Sequence, residues 1–314
     1  MSAAVIDSFT RDLAATGQPV GRDVPIGPLT TYRVGGPAAA FVVVDDAEAL
    51  LRLARVVARH HVAVLVVGRG SNLLVADGGF EGVAVQLGEA LSYVDIADPD
   101  GGTVDVRAGG ATSLPVVARR TAAAGVEGFE WAVGVPGSVG GAVRMNAGGH
   151  GSDMASSLRS VRVVSLASGD DVEMSAADLR LDYRSSALAS TDVVVEARLE
   201  LREGDREVTE QHISEIVTWR RRHQPGGPNA GSVFSNPPGD SAGRLVDISG
   251  GRGLRVGSAE VSTKHANFIQ ADPGGSADDV AALMVEMARL VRDHAGVDLH
   301  PETVLVGEFA KGRP

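Results

Sequence analysis

Glycine marks the places in this chain where chemistry could sit. Gly68-Arg-Gly-Ser-Asn72 follows an apolar run at residues 63–67 that has the length of a buried strand. Bare glycine backbone lets an anion come close, and successive amide N–H groups in such a turn can point at it. An ordinary tight turn would use the same residues. A Gly-x-Gly-x-x-Gly dinucleotide fingerprint is incomplete here, with no helix clearly opening behind it, and Gly-x-x-x-x-Gly-Lys-Ser/Thr is absent, which excludes a P-loop nucleotidase. A second cluster, Gly134-Val-Pro-Gly-Ser-Val-Gly-Gly141, has glycines at 134, 137, 140 and 141 and runs on through Met145-Asn-Ala-Gly-Gly-His-Gly151. So much bare backbone suits a chain wrapped round a pyrophosphate or a planar ring. A third segment, Gly231-Ser-Val-Phe-Ser-Asn-Pro237, continues through Arg244 to Val261-Ser-Thr-Lys-His-Ala-Asn-Phe268 and reads as a polar loop followed by a strand.

Other reactive groups are few. The chain has no cysteine, which removes disulfides, thiolate metal sites and cysteine nucleophiles. Its eight histidines show no metal-ligand spacing, so no metal site is expected. Arg220-Arg-Arg222 reads either as a solvated helix end beside its own dipole or as a source of charge for a diphosphate. With 29 basic and 40 acidic residues in 314, the formal charge is −11. That balance argues against nucleic-acid binding through general phosphate attraction, while leaving room for a local basic cleft. Only Lys264 and Lys311 are lysines, so a lysine kept mid-chain at 264 stands out. No window approaches the 18 apolar residues of a membrane span, and the first residues lack a signal-peptide pattern, so a cytoplasmic protein is expected.

The elements that must hold these segments alternate between helix and strand. Residues 47–60 place apolar groups at helical spacing with arginines opposite, and 113–124 read as a helix stopped by Gly125. Strands are expected at 103–106, 161–166, 193–201 and 303–306. Residues 208–222 form an amphipathic helix pattern, followed by the Gly/Pro-rich stretch 224–231, the clearest boundary in the chain. Ser276 with Asp279 three residues on is a capping-box pattern, opening a helix that runs to about Ala295 and stops at Gly296. An α/β or α+β protein follows.

Seven segments, in order, resemble the UDP-N-acetylenolpyruvoylglucosamine reductase family. They are Thr30-Thr-Tyr-Arg-Val-Gly-Gly-Pro-Ala38, Gly68-Arg-Gly-Ser-Asn-Leu-Leu74, Gly134-Val-Pro-Gly-Ser-Val-Gly-Gly-Ala142 with Met145-Asn-Ala-Gly148, Tyr183-Arg-Ser-Ser186, Gly231-Ser-Val-Phe-Ser-Asn-Pro237, Lys264-His-Ala-Asn-Phe268 and His300-Pro-Glu302. The resemblance spans nearly the whole chain, from Thr30 to Glu302. It implies an α+β protein: a two-subdomain FAD-binding fold of the vanillyl-alcohol-oxidase-like type, followed by a smaller α+β substrate domain. Residues 1–224 would form the FAD-binding domain, split near residue 70, with a tail at 300–314 returning to it; residues 225–299 would form the substrate domain. Little room separates Tyr183-Arg184 from the strand at 193, which places the chain with the shorter family type that lacks an extra substrate-covering loop.

By the same resemblance the protein is an NADPH-dependent, FAD-mediated reductase of UDP-N-acetylglucosamine enolpyruvate, acting in peptidoglycan precursor synthesis. Its partner is a small nucleotide-sugar, with no nucleic acid and no membrane. Gly68, Arg69, Gly70, Ser71, Asn72, Gly134, Val135, Pro136, Gly137, Ser138, Gly140, Gly141 and Asn146 would hold FAD. Arg184 matches the family's catalytic arginine, Glu302 the glutamate acting with it on the substrate carboxylate, and Ser232 the proton-donating serine. Asn236 and Lys264 would meet the substrate diphosphate, together with an arginine of 220–222. Two positions depart from the family pattern: Ser235 stands where relatives commonly carry a basic residue, and His150 where a tyrosine is expected. A tethered-flavin oxidase is the rival enzyme, disfavoured by the lack of cysteine and by the first two glycine clusters holding no histidine apart from His150. A non-catalytic FAD- or nucleotide-binding paralogue is the rival binding protein, disfavoured by the presence of Arg184, Ser232 and Glu302.

Overall fold

Helix spacing in the sequence becomes buried faces in the structure. The computed structural model describes residues 2–310 and Gly312; Lys311, Arg313 and Pro314 of the expected tail lie outside the described residues. Helix α1 (Ala3–Ala14) buries Ile6, Phe9 and Leu13 and packs on α2 (Ala47–His60), which buries Leu50, Leu53, Val56 and Val57. The side chain of Asp46 caps α2 by accepting the Ala49 N–H, and His61 ends it in the left-handed conformation. A four-stranded sheet runs in the order Gly21–Pro25, Pro37–Val44, Phe80–Leu87, Val64–Val66, the last pair parallel.

The chain divides into two compact units. The first comprises Met1–Arg22, Ala40–Arg69 and Gly82–Arg220; the second comprises Asp23–Ala39, Gly70–Glu81 and Arg221–Pro314.

In the first unit a largely antiparallel sheet orders its strands Asp171–Ser175, Leu158–Ser165, Asp192–Glu203, Thr103–Gly109, Val94–Ile96. The central strand alternates strictly over its second half: Ala197, Leu199 and Leu201 are buried while Arg198, Glu200 and Arg202 face outward. One face therefore meets the core that holds Phe129, Trp131 and Met154. Helices α3 (Leu114–Ala123) and α4 (Val139–Arg144) lie over this sheet, and α5 (Arg206–His223) closes the unit, with Ile213, Ile216 and Val217 packed on the core.

In the second unit a small antiparallel sheet, Arg255–Val256, Ala259–Val261 and Ile269–Ala271, packs with α6 (Ala242–Ile248) and α7 (Ala277–Ala295) round Phe234, Leu283, Met284 and Met287. Strand Leu73–Val75 pairs in parallel with Val304–Val306, more than 200 residues later in the chain. The expected capping box at α7 is half made. Ser276 Oγ accepts the Asp279 N–H, but the Asp279 carboxylate takes the N–H and hydroxyl of Ser258 instead of reaching back. Ser258 Oγ takes the Ser276 N–H in its place, and Asp77 adds a further cap, accepting from Ala277 N–H, Asp278 N–H and the Ser276 hydroxyl. A carboxylate is also favoured there by the helix dipole.

Ser276→Ala removes both roles of that hydroxyl. It should lower stability by about 1–2 kcal/mol and Tm by a few degrees, read by thermal unfolding.

Candidate active site

In the first unit Gly68, the first residue of one glycine cluster, meets Ser138 of the other. Gly68 follows the strand Val64–Val66, and a Cβ built on it would lie 2.6 Å from the Ser138 hydroxyl. That hydroxyl caps α4 by accepting the Gly141 N–H at 3.3 Å. No side chain larger than hydrogen fits at 68 without displacing the cap. The second cluster is held along its length by backbone bonds: Leu114 N–H to Gly137 C=O, Val139 N–H to Thr112 C=O and Gly140 N–H to Gly110 C=O, at 2.8–3.0 Å. Val135 N–H turns back to Ala132 C=O, and Pro136 is exposed. Gly137 and Ser138 are buried, yet among the described residues their N–H groups meet no protein acceptor. The N–H groups of the half-buried Gly68 and the exposed Arg69 also meet no protein acceptor among the described residues. Buried backbone donors are nearly always paired, so a row of unpaired ones beside bare glycine marks a place for ligand oxygens or ring acceptors.

At the end of this segment Asn146 is buried and in the left-handed conformation, φ +38°. Its side chain is spent within the protein. Oδ1 accepts Ala155 N–H at 3.0 Å, while Nδ2 donates to the Asp153 carboxylate and to Asp182 C=O, both at 3.2 Å. Arg184 lies in the turn that Asp182 opens, itself at φ +53°, with its guanidinium 5.4 Å from the centre of the exposed Tyr183 ring. Arg220 lays its side chain against Gly134, its Cδ 2.9 Å from where a Cβ would stand, and partial burial holds its pKa below the usual arginine range. His150 sits on a left-handed turn with its ring edge-on to Trp219 at 5.0 Å. Burial first, and the Arg220 charge second, lower its pKa.

The second unit carries Gly70, Ser71, Asn72, Ser232, Asn236, Lys264 and Glu302. Gly70 is buried and its C=O accepts Thr31 N–H; the N–H groups of residues 70–72 meet no protein acceptor among the described residues. Asn72 reaches with Nδ2 to the Glu302 C=O at 3.0 Å. Glu302 N–H donates to Val233 C=O at 2.8 Å, and Phe234 bridges Pro301, so the Ser232 and Glu302 segments run side by side. The half-buried Ser232 hydroxyl meets no protein partner among the described residues. Ser235 spends both its N–H and its hydroxyl on the His300 C=O, so at this position serine closes the pairing of the two segments.

The exposed Asn236 uses Oδ1 on Ala242 N–H, leaving its amide N–H groups outward, and Lys264 Nζ donates to Arg221 C=O. Sequence reasoning passed over Asn267. It is 2% exposed; its Oδ1 takes Phe234 N–H, its Nδ2 gives to Phe234 C=O, and its own C=O takes Val233 N–H. A polar residue set between the buried Ala266 and Phe268 was the available signal.

A cradle of bare backbone with unpaired N–H groups, on a mixed α+β frame, defines a cofactor-binding protein. The family profile described as "FAD binding domain" matches residues 38–175, so the class is that of FAD-binding flavoproteins. The profile for the C-terminal domain of UDP-N-acetylenolpyruvoylglucosamine reductase matches residues 223–306. Proteins of that name from Rubrobacter xylanophilus (40% identity; 91% of this chain, 95% of the relative) and Gloeobacter violaceus (42%; 90% and 95%) are similar over almost their full length. The crystal structure of the reductase from Thermus caldophilus is 35% identical, covers 92% of this chain and 100% of its own, and superposes with a TM-score of 0.78. The chain belongs to the UDP-N-acetylenolpyruvoylglucosamine reductase family.

Gly68→Val should abolish flavin retention, because the added side chain drives into Ser138. The check is the 450 nm absorbance of purified protein. Wild-type flavin content in this variant would place the cofactor elsewhere.

Proposed function

We propose that Arg184, Ser232 and Glu302 carry the substrate chemistry, and that the glycine clusters hold the cofactor. As a member of its family the chain is an FAD-dependent oxidoreductase that reduces UDP-N-acetylglucosamine enolpyruvate with NADPH, in peptidoglycan precursor synthesis. Bound FAD supplies a two-electron carrier between the nicotinamide and the enolpyruvyl β-carbon. The N–H groups of residues 68–72, Gly137 and Ser138 would hold it, with Gly134, Val135, Pro136, Gly140 and Gly141 shaping the backbone around it.

The chain's own residues must manage charge and a proton. Reduction of the enol ether adds hydride at the β-carbon and a proton at the α-carbon, turning C=C into CH–CH3. Negative charge builds on the α-carbon and its carboxylate before the proton arrives. Arg184 offers two parallel N–H donors to that carboxylate, and Glu302 acts on the same group. The Ser232 hydroxyl donates the proton to the α-carbon, and the alkoxide left behind is reprotonated from solvent. Asn236 meets the diphosphate through its outward amide N–H groups, and Lys264 through the ammonium donors that its bond to Arg221 C=O leaves over.

The observation that carries this reading is the pairing of Glu302 N–H with Val233 C=O. It runs the backbones of these two segments side by side, and the Ser232 hydroxyl on one of them meets no protein partner among the described residues. We assign residues 1–224 to cofactor binding, split near 70, and 225–299 to the substrate, with a cytoplasmic setting where NADPH is supplied. Among the described residues no helix is long and apolar enough to cross a membrane.

Two variants test the roles. Ser232→Ala should still be bleached by NADPH at close to the normal rate, while reoxidation by the enolpyruvyl substrate slows by about 10²–10⁴-fold, the usual worth of general acid catalysis. Equal slowing of both steps would remove the proton-donor role. Arg184→Lys keeps the charge but loses the two-pronged fork, and should slow reoxidation severely. Near wild-type turnover there would take Arg184 out of the site.

A further inference from the structure

The turn that presents Arg184 is not held by its own sequence alone. Asp182 and Ser185 exchange backbone hydrogen bonds at 3.2 and 3.1 Å, and the Asp182 carboxylate takes Tyr183 N–H at 2.7 Å. Inside this turn Arg184 adopts a left-handed conformation, φ +53°, which costs energy for a residue other than glycine and persists where its surroundings hold it. Two further bonds do that, one on each side. Asn146 Nδ2 donates to Asp182 C=O, two residues before Arg184; Ser186 Oγ, two residues after it, donates to Arg144 C=O at 2.8 Å. One anchor ends on Arg144, the last residue of α4, and the other on Asn146, just beyond its C-cap, both shortly after the glycine cluster 134–141.

We propose that Asn146 and Ser186 are positioning residues for Arg184: they tie the turn bearing the carboxylate fork to the segment that carries the cofactor's cradle. The inference rests on the reading of Arg184 given above. Asn146 is suited to the task because its side chain is fully used, with one acceptor and both donors engaged and the residue 4% exposed. A group so committed has nothing left to offer a ligand. Its contribution is rigidity: a fork and a reacting carbon set on separate loops lose register when either loop drifts, and a misplacement of about 1 Å can lower a rate by roughly 10²-fold. The Asp153 carboxylate, which faces Asn146 Nδ2, also caps Ser156 N–H, so the same side chain braces the 153–156 segment as well.

The test compares Asn146→Ala and Ser186→Ala with wild type, using Arg184→Lys as the reference. Both anchor variants should bind a full complement of FAD and be bleached by NADPH within about twofold of the wild-type rate. Reoxidation by the enolpyruvyl nucleotide should slow by roughly tenfold or more for Asn146→Ala and less for Ser186→Ala, with KM for that substrate raised. Amide hydrogen exchange should rise in the peptide spanning 182–186 in both variants, a readout that does not depend on turnover. Added to Arg184→Lys, either substitution should slow reoxidation little further, because the interaction it serves is already lost.

Loss of FAD from Asn146→Ala, with Ser186→Ala behaving as wild type, would make Asn146 a cofactor contact and overturn the proposal. So would equal slowing of both half-reactions, or full multiplicative effects in the double variants. If Arg184→Lys itself reoxidises normally, the reading of Arg184 fails first, and that outcome is distinct from the others.

Discussion

A buried backbone N–H or C=O must find a partner, and segments that are neither helix nor strand cannot find one in a ladder. The segments that carry the candidate site residues are mostly of this kind, so they depend on side chains that bond to backbone. Three asparagines do this. Asn267 takes the N–H and gives to the C=O of Phe234, and its own C=O takes the Val233 N–H, holding the strand-like piece that carries Ser232. Asn72 closes on the Glu302 carbonyl. Asn146 closes on the Asp182 carbonyl behind Arg184. An amide can donate and accept at once from a planar head, and leaving a buried group unpaired costs about 1–3 kcal/mol, so each of these side chains stabilises a loop that apolar packing alone could not define.

The same accounting shows what is left for ligands. Ser235 spends its hydroxyl on His300, whereas Ser232, three residues earlier, does not spend its own on the protein. In the second glycine cluster the N–H groups of Val139, Gly140 and Gly141 are taken by Thr112, Gly110 and Ser138, but those of Gly137 and Ser138 are not. The uncommitted Ser232 hydroxyl and Gly137 and Ser138 N–H groups are the ones left for ligands, while the three asparagines supply rigidity. Ser235 is among the groups used up: its N–H and hydroxyl close the pairing with His300.

Much of this was legible in the sequence, because it follows from local patterns. The apolar stripe of α2, the Ser276 cap and Gly296 stop of α7, and the alternation at 197–202 each reflect a physical period or a terminal hydrogen bond within a few residues. The glycine clusters announced themselves by composition. Less visible was whatever depends on distant partners. Asp77 caps a helix 200 residues away, and the strand Leu73–Val75 pairs with Val304–Val306; neither leaves a local mark. Helix α1 carries its core residues at Ile6, Phe9 and Leu13, a spacing that is present but short, and α6 spans only seven residues. For Asn146 the motif gave the residue but not the direction of its side chain, which only the 153–156 and 182 segments reveal.

The central claim is that this chain moves a hydride to, and supplies a proton for, an enolpyruvyl nucleotide-sugar. Its most direct test is a single turnover of the wild-type protein without oxygen. NADPH is added until the flavin absorbance at 450 nm is bleached, excess nucleotide is removed, and UDP-N-acetylglucosamine enolpyruvate is then introduced. The account predicts that the absorbance returns and that each flavin yields one product molecule heavier than the substrate by two hydrogens. Absorbance that returns only when air is admitted, with the nucleotide-sugar recovered unchanged, would contradict it.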